Sequence, residues 1–376
     1  MDGVVYRVNL YLNGQLIGDI RKLAEGLNWT RRRTMSGVDS ITFSVNDRLM
    51  SEWCAKRNTT LVELLKPIAL ECRIVRNGEE VIGGFMYTMP SLSPNNASAN
   101  LSFQFDGYLN LLEGVYLHPT APQTARMGQL VMNWISIANQ RSDTAGKGYN
   151  FVTGHIDTMN SVTQTIDGYK TVKQAIVDRC DNVSGAGKFD LYFYADKTYD
   201  VIKDENFGRE VSYQINYPMS LNGVSATTIT AEGSERFSSH VIAIGSGEVS
   251  YDVTKNTAIT TEQTNSLAVQ EYGYYESMIQ NSSVSRMDTL VVKCDSELAR
   301  VSEYIFDPQI TLIGRQVAPS SEGDRSIWIG DRVKINNTAD YTGLTSGMFR
   351  VMELSVDVSG TNAETITPTL ERYTDE

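Results

Sequence analysis

Three histidines are the residues of this chain best suited to metal binding or proton transfer: His118, His155 and His240. They lie far apart in the sequence and form neither an HxxxH nor an HExxH pattern, so the local spacing typical of zinc sites is missing. His155 precedes Asp157 by two residues, and a carboxylate at that position could orient an imidazole base. A surface or hydrogen-bonded histidine at a strand end explains the same pair more simply. The histidines therefore predict no metal site.

Glycine-rich motifs for phosphates are incomplete. The pairs Gly146-Lys147 and Gly187-Lys188 lack the first glycine of a P-loop and the Ser or Thr after the lysine. Gly245-Ser-Gly247 lacks the third glycine of a dinucleotide fingerprint, and no G-x-S-x-G nucleophile element occurs. The sequence thus predicts no catalytic residue, no cofactor and no metal. Carboxylates are abundant enough that a glycosidase-type pair stays open as an alternative.

Composition places the chain among globular proteins of more than one domain. It has 376 residues, of which 41% are hydrophobic, and a net charge of −12. An acidic chain repels phosphate, which disfavours direct binding of nucleic acid. The run Arg31-Arg32-Arg33 is short, and we interpret it as the exposed end of a strand rather than as a nucleic-acid patch.

Cysteines and terminal segments indicate a reducing compartment. The four cysteines Cys54, Cys72, Cys180 and Cys294 form no CxxC pair, as expected for free thiols. The first residues lack a basic and then apolar leader pattern, and no stretch approaches the roughly 20 apolar residues of a membrane span. We expect a chain that folds in a cytoplasm without a membrane anchor.

The first 110 residues alternate between apolar and polar side chains, which is typical of strands. Asn13-Gly14 and Asn77-Gly78 predict hairpins, because type I′ turns need positive φ at both central residues. A short helix is expected over 59–66, ended by Pro67. This region has the pattern of a closed or nearly closed barrel that carries one helix.

Helical periodicity begins after that region. Apolar stripes predict helices over 124–140, 170–181 and 288–304, with Asp288 as the N-cap of the last. Strands follow this helix. Between two of them, Gly330 can take positive φ and Asp331 can bond to nearby backbone, so a tight turn is expected.

An ordered set of elements resembles the baseplate-hub proteins at the tail tip of tailed bacteriophages. The set begins with Arg76-Asn-Gly78, Gly83-Gly84 and the exit Phe105-Asp-Gly107-Tyr-Leu-Asn-Leu-Leu112. It continues with Tyr272-Gly273 and Glu276, the helix from Leu290 to Val301 that precedes Pro308, and the turn Gly330-Asp331-Arg332-Val333. Each motif alone has little specificity, and the order and spacing carry the resemblance.

The resemblance implies an α+β, mostly β fold: two barrel-like β modules with an inserted α/β module and a few helices. The modules would be 1–110, to which 205–250 return, an insertion at 111–204, a connecting segment with the long helix at 251–307, and a second barrel at 308–376.

The same resemblance implies a structural role in the virion tail, at its tip or baseplate, after assembly in the host cytoplasm. The chain would form a homotrimer whose ring adapts the sixfold tail tube to a threefold tip. Its partners would be a distal tail protein ring or tail tube, a tape measure protein, and a tip fibre or spike protein. DNA would only pass through the lumen and would not be bound specifically.

Two other functions are compatible with the sequence. One is a tail-associated cell-wall hydrolase, although no muramidase-, amidase- or papain-like segment follows the hub-like region. The other is a carbohydrate-binding module in which Tyr272, Tyr274 and Tyr275 stack on sugars. These tyrosines fit an interface or a core equally well.

Overall fold

A computed structural model gives the fold of the chain. It describes residues 4–95, 98–143, 148–166, 168–182, 188–218, 223–233, 237–247, 257–282, 284–302, 306–339 and 346–373. The predicted α+β, mostly β class is confirmed, because strands dominate and the helices are few and separated. Among the described helices, none combines the length and the apolar character that crossing a bilayer would require.

The helices and strands have the following bounds. The helices are α1 Asp47–Ala55, α2 Leu61–Leu64, α3 Met127–Asp143, α4 Val172–Asn182, α5 Ser266–Tyr272 and α6 Met287–Val301. The strands are β1 Tyr6–Leu12, β2 Gln15–Asp19, β3 Glu25–Arg32, β4 Ser40–Asn46, β5 Leu70–Arg76, β6 Glu79–Phe85, β7 Ser91–Asn95, β8 Ser98–Gly107, β9 Tyr116–Leu117, β10 Thr120–Arg126, β11 Val152–Ile156, β12 Ser161–Ile166, β13 Lys170–Thr171, β14 Phe189–Phe193, β15 Thr198–Lys203, β16 Glu210–Tyr217, β17 Val224–Ser225, β18 Thr228–Gly233, β19 His240–Ile244, β20 Thr260–Thr264, β21 Glu276–Gln280, β22 Phe306–Ile313, β23 Ala318–Pro319, β24 Ser326–Ile327, β25 Arg332–Asn337, β26 Gly347–Val358 and β27 Glu364–Arg372.

The chain folds into two compact units. Unit 1 comprises Met1–Thr230 together with Gln309–Glu376, and unit 2 comprises Ala231–Pro308. The sequence-based division placed 205–250 with the first barrel and 251–307 in a connecting segment. Contacts divide these segments differently, because β19 is the central strand of a sheet formed with β20 and β21. Strand β16 belongs to unit 1, whereas β19 belongs to unit 2.

One large sheet organises unit 1. Its strands follow the order β17-β16-β25-β26-β3-β4-β8-β6-β5-β1-β2, with β27 beside β26 and β7 beside β8. Strand β3 pairs antiparallel with β26, so that Trp29 lies opposite Val356. Strands from both ends of the chain therefore share one hydrogen-bonded sheet and one hydrophobic core. The closure of two separate barrels and the predicted module boundaries stay predictions.

A second hydrophobic core lies in the inserted segment of unit 1. Helices α3 and α4 bury Leu130, Trp134 and Ile176 against the small sheet β11-β15-β14. Tyr108, in the 3₁₀ turn Tyr108–Gly114, belongs to the same core. The insertion thus has a core of its own, which Phe85 of β6 joins, and both apolar contacts and the polar contacts described below connect it to the large sheet.

Unit 2 is a small layer of helix on sheet. Helix α6 packs on β19 and β20, and buries Leu290 and Cys294 against Val241 and Ala243. The opposite face of this sheet carries no helix among the described residues.

Turn chemistry follows the sequence closely. Asn13 and Gly14 have φ of 50° and 79°, and Asn77 and Gly78 have 51° and 95°, so both predicted hairpin turns are confirmed. Gly330 has φ of 84°, as its turn requires. All four cysteines are buried, and none of them forms a disulfide bond.

Helix ends differ from the predictions by a few residues. Asp288 is not the N-cap of α6: Arg286 holds that position, and Asp288 lies in the first turn, where its Oδ1 accepts the Thr289 N–H at 2.9 Å. Helix α1 was missed. It follows β4 without a break: Asn46 is the last strand residue and also the N-cap, whose side chain accepts the Leu49 N–H, and the helix buries Met50, Trp53 and Cys54.

Candidate functional site

His155 and Asp157, for which the sequence favoured a surface or hydrogen-bonded histidine at a strand end, are in contact. His155 Nε2 lies 2.9 Å from Asp157 Oδ1 in an exposed position. Asp157 also accepts the Lys203 N–H at 2.8 Å and the Asn206 side-chain amide at 2.9 Å. Partial burial would raise the pKa of Asp157, but these hydrogen bonds and His155 lower it overall. The carboxylate is therefore a structural acceptor at the end of β15 rather than a group poised to take up a proton.

The other sequence candidates are scattered. Among the described residues, no group of three or more His, Cys, Asp or Glu side chains could hold a metal ion. His118 packs on Tyr169, and His240 donates to or accepts from Thr264. Lys147 with Gly146, and Gly187, lie outside the described residues.

A shallow groove of about 410 Å³ opens on the polar side of β4 and β8. Its walls are hydroxyl, amide, thioether and aromatic side chains, and the described residues that line it include no titratable group. Acid–base chemistry therefore has no participant there.

A buried ionic cluster is the most organised polar feature of the molecule. Three arginines and three aspartates meet where the insertion contacts the large sheet: Arg31, Arg33, Arg350, Asp39, Asp190 and Asp204. The equal numbers of positive and negative groups leave the cluster neutral. We call this set the arginine cluster.

Arg31 joins four parts of unit 1. Its guanidinium donates to Asp39 at 2.6 Å, to the Val81 carbonyl at 3.0 Å and to the Phe193 carbonyl at 2.8 Å. It also lies over the Tyr192 ring, 4.9 Å from the centroid. Strand β14 of the insertion is thereby fixed to β3 and β6 of the large sheet.

Arg33 and Arg350 converge on the second half of the insertion. Arg33 donates to Asp190 and Asp204, and Arg350 donates to Asp204 at 2.8 Å and to the Phe207 carbonyl at 2.9 Å. Burial would raise the pKa of Asp204, yet the two guanidinium groups lower it overall. Asp204 therefore stays charged, and the ion pairs of Asp190 and Asp204 connect the insertion to Arg33, which follows β3, and to Arg350 of β26.

The expectation of an exposed arginine run was wrong. Only 2% of Arg31 and 3% of Arg33 is exposed, and Arg32, between them, is the partly exposed residue, paired with Glu353. Strand alternation contained a signal for this: Arg31 lies on the same face as Leu27 and Trp29, which are buried. The partners Asp190 and Asp204 are too distant in sequence to be assigned by spacing.

The Gly330-Asp331 turn lies beside the arginine cluster. Asp331 accepts the Trp328 N–H at 2.9 Å and the Arg209 N–H at 3.0 Å, so the predicted backbone bonding is confirmed. Burial raises the pKa of Asp331 to about 6, against the effect of those hydrogen bonds. Position 330 requires glycine for two reasons. Its φ is positive, and a Cβ there would lie 2.4 Å from the Phe207 ring.

Two further buried carboxylates connect distant strands. Glu71 is fully buried and contacts Arg73 at 2.6 Å, the Tyr108 hydroxyl at 2.8 Å and Lys197 at 3.1 Å. Glu364 accepts from the Tyr6 hydroxyl and, in bidentate fashion, from Arg76. The first contact fixes the insertion to β5, and the second fixes β27 to β1 and β5.

The tyrosines of unit 2 follow α5. Gly273 ends this helix with φ of 95°, and β21 begins at Glu276. Tyr274 and Tyr275 are exposed, and the Tyr274 ring lies 5.3 Å from the His240 ring. These side chains form a surface rather than a pocket.

Solved structures share this fold over nearly the whole chain. A tail protein from Neisseria meningitidis superposes with a TM-score of 0.58 at 15% identity, covering 97% of this chain and 96% of that one. The 43 kDa tail protein of prophage MuSo2 from Shewanella oneidensis gives 0.59 at 11% identity, covering 97% and 98%. A prophage tail protein from Listeria monocytogenes gives 0.55 at 10% identity, covering 98% and 95%. No family model matches the sequence, and no curated protein matches it.

The chain therefore has the fold of phage tail proteins, and the resemblance seen in its sequence is confirmed at the level of the fold. At these identities a common fold is what the similarity establishes.

Proposed function

We propose that this chain is a structural subunit of a phage-type tail, the hub at the tail tip. The observation that carries the proposal is the shared fold with prophage tail proteins across about the full length of both chains. Function does not follow from fold alone. The order of hub-like elements along the sequence adds support. The buried ionic contacts also suit a structural protein, because they connect the insertion and β27 to other strands of unit 1.

In this function three copies form a ring that adapts a sixfold tail tube to a threefold tip. The ring contacts a distal tail protein ring or tail tube, a tape measure protein, and a fibre or spike at the tip. DNA passes through the lumen without specific binding. A net charge of −12 supports this step, because an acidic surface repels phosphate. A solved ring with a basic or neutral lumen would contradict it.

Negative-stain electron microscopy of the purified protein tests the ring. Threefold particles with a central hole are the expected result. Compact single particles at every concentration would contradict self-assembly. Adding the tail-tube partner would then decide whether a ring forms only on the tail.

The proposal includes the absence of catalysis, and a cell-wall assay tests that part. Purified cell wall incubated with the protein should keep its turbidity. Loss of turbidity that Asp157→Asn abolishes would instead assign hydrolysis to the exposed His155–Asp157 pair. Asp324→Asn, at an exposed loop position, is the matched control.

A further inference from the structure

The open face of the unit 2 sheet is an unusual surface. Along β21, Glu276, Met278 and Gln280 are exposed, while Ser277 and Ile279 are less so. The strand register places Ile242 between Glu262 and Met278, on the side away from α6. Tyr274 extends this side next to His240. We call Ile242, Glu262, Tyr274, Glu276 and Met278 the tyrosine face.

Apolar groups on this face are unusually open to solvent. Met278 is 62% exposed and Tyr274 is 56% exposed in the described chain. Tyrosine and methionine are enriched in the centres of protein interfaces, where lysine is depleted. The segment 257–282 contains Glu262, Glu271 and Glu276 and no lysine or arginine. A matching surface must therefore be apolar with a positive rim.

The same chain carries such a surface on α1 and α2 of unit 1. Leu49 and Val62 are exposed there, the latter by 81%, and Lys56 and Lys66 of the same segment are exposed as well. Residues 47–68 contain four basic residues, Arg48, Lys56, Arg57 and Lys66, and three acidic ones, Asp47, Glu52 and Glu63, so the segment carries a net positive charge. Glu52 pairs with Arg48, and Glu63 closes the capping box with Thr60.

Backbone strain marks the end of this surface. Ile68 has φ of 65° and is 48% exposed. A β-branched residue rarely takes this conformation, and strained residues of this kind concentrate at functional positions. The turn after Pro67 holds an apolar side chain in solvent at a cost in backbone energy. We call Leu49, Lys56, Val62, Lys66 and Ile68 the α1–α2 surface.

We propose that the tyrosine face of one copy binds the α1–α2 surface of the next copy. Since the two surfaces are different, the contact is head-to-tail and can close into a ring. Carboxylates Glu262 and Glu276 would meet Lys56 and Lys66 around the apolar centre formed by Met278, Tyr274, Val62 and Ile68. The inference rests on the proposed ring and names the contact that builds it.

A reciprocal charge swap tests the contact directly. Glu262→Lys with Glu276→Lys should weaken the trimer, because like charges would then face each other. The protein concentration at which half of the trimer is dissociated should rise by about tenfold or more. Lys56→Glu with Lys66→Glu should have the same effect. Combining all four changes should restore the wild-type value to within a few-fold. Glu79→Lys with Glu322→Lys alters the charge equally at exposed sites outside both surfaces, and should change nothing.

Photo-crosslinking gives a second readout. With benzoylphenylalanine at Tyr274, the crosslinked peptide of the neighbouring copy should fall within residues 47–68. Crosslinks to residues 257–282 would instead indicate a symmetric contact between two tyrosine faces and would overturn the proposal. Failure of the four-residue swap to restore assembly would also overturn it.

Failure of the interface and failure of the ring are distinguishable by mass photometry. If the wild type forms trimers and both double variants form them equally well, the proposed interface is wrong and the hub function is not affected. A wild type that stays monomeric at all concentrations would overturn the interface and the self-assembled ring together.

Discussion

Unit 1 buries many formal charges, whereas the core of unit 2 is formed by apolar side chains and a thiol. The arginine cluster, Glu71 and Glu364 lie inside unit 1, and several of their ion pairs join residues far apart in sequence: Arg33–Asp190, Lys197–Glu71 and Arg76–Glu364. In unit 2, Leu290 and Cys294 pack on Val241 and Ala243, and the pairs Arg286–Asp288 and Arg300–Glu297 lie at the surface.

The difference indicates two ways of using polar groups. In unit 1 buried ion pairs fix the insertion at one position on the large sheet, because charges taken out of water tolerate few alternative arrangements. In unit 2 the buried polar residues are Ser238, Ser239, His240 and Ser302, with no carboxylate or guanidinium among them in the described chain, and Tyr274 and Tyr275 are exposed. Unit 1 thus has the properties of a rigid frame, and unit 2 those of a contact module.

The largest expected effect is the loss of a buried guanidinium. Arg33→Ala leaves Asp190 without its partner and should lower the free energy of unfolding by about 3–5 kcal/mol. Arg32→Ala removes the partly exposed neighbour and should cost about 1 kcal/mol or less. Urea denaturation of both variants measures the contrast. Equal losses of unfolding free energy in the two variants would mean that the arginine cluster stabilises unit 1 no more than the partly exposed Arg32 does.

The core of unit 2 should be the next most sensitive. Leu290→Ala creates a cavity under α6 and should destabilise this unit by about 2–5 kcal/mol. Val292→Ala, on the exposed side of the same helix, should cost about 0.5 kcal/mol. Hydrogen exchange should accelerate in 284–302 and 240–244 and stay slow in β3. Equal acceleration in β3 would show that the two units unfold as one.

Lowering the pH should change the stability contributions of the buried carboxylates Asp331 and Asp204 in opposite directions. The pKa of Asp331 is about 6 when folded and near 3.8 when unfolded, so between these values the folded state holds a proton that the unfolded state has released. Its contribution to stability therefore falls as pH rises from about 4 to 6, by about 3 kcal/mol in total. Asp204, whose pKa is lowered, has the opposite sign: its contribution is present above its unfolded pKa and is lost as pH falls.

The difference in unfolding free energy between wild type and Asp331→Asn measures this contribution. It should shift in favour of the variant as pH is raised from 4 to 7, and should be constant above pH 7. A difference that does not change with pH would contradict the raised pKa.

The smallest expected effect lies on the tyrosine face. Met278→Ser should change the stability of the monomer by about 0.5 kcal/mol or less, since the side chain is mostly in water. Thermal unfolding of dilute protein measures it. A loss of 2 kcal/mol or more would mean that Met278 belongs to the core of unit 2 and is not available to a partner.

Local structure was predictable wherever near neighbours decide it. The two Asn-Gly turns and the Gly330 turn follow from the φ each turn requires, and the apolar stripes located α3, α4 and α6 to within a few residues. Helix α1 was missed because it is short and follows β4 without a break, although its buried residues Met50, Trp53 and Cys54 have helical spacing. The N-cap of α6 was misplaced because several polar residues precede the stripe, and each could have been the cap.

The candidate site was less predictable than the fold. Asp331 was identified from its turn, and its bonds to nearby backbone agree with the structure. The sequence left Tyr274 open between an interface and a core, and the structure leaves it exposed. Arg31 and Arg33 were assigned to solvent, because charged residues are rarely buried. The burial of Arg33 depends on Asp190 and Asp204, which the folding of the insertion brings to it, and Arg31 combines the nearby Asp39 with the distant Phe193 carbonyl.

By itself, the sequence determined the mostly β class, the turns, the main helices and the likeness to tail proteins, because alternation, glycine φ and apolar stripes depend on adjacent residues. Only the tertiary structure decided that β3 pairs with β26, that three arginines lie inside, and that 231–308 forms a separate unit. The pairing of β3 with β26 and the contact of Arg33 with Asp190 join residues more than a hundred positions apart, and their free energy depends on burial and charge pairing, which no local pattern records.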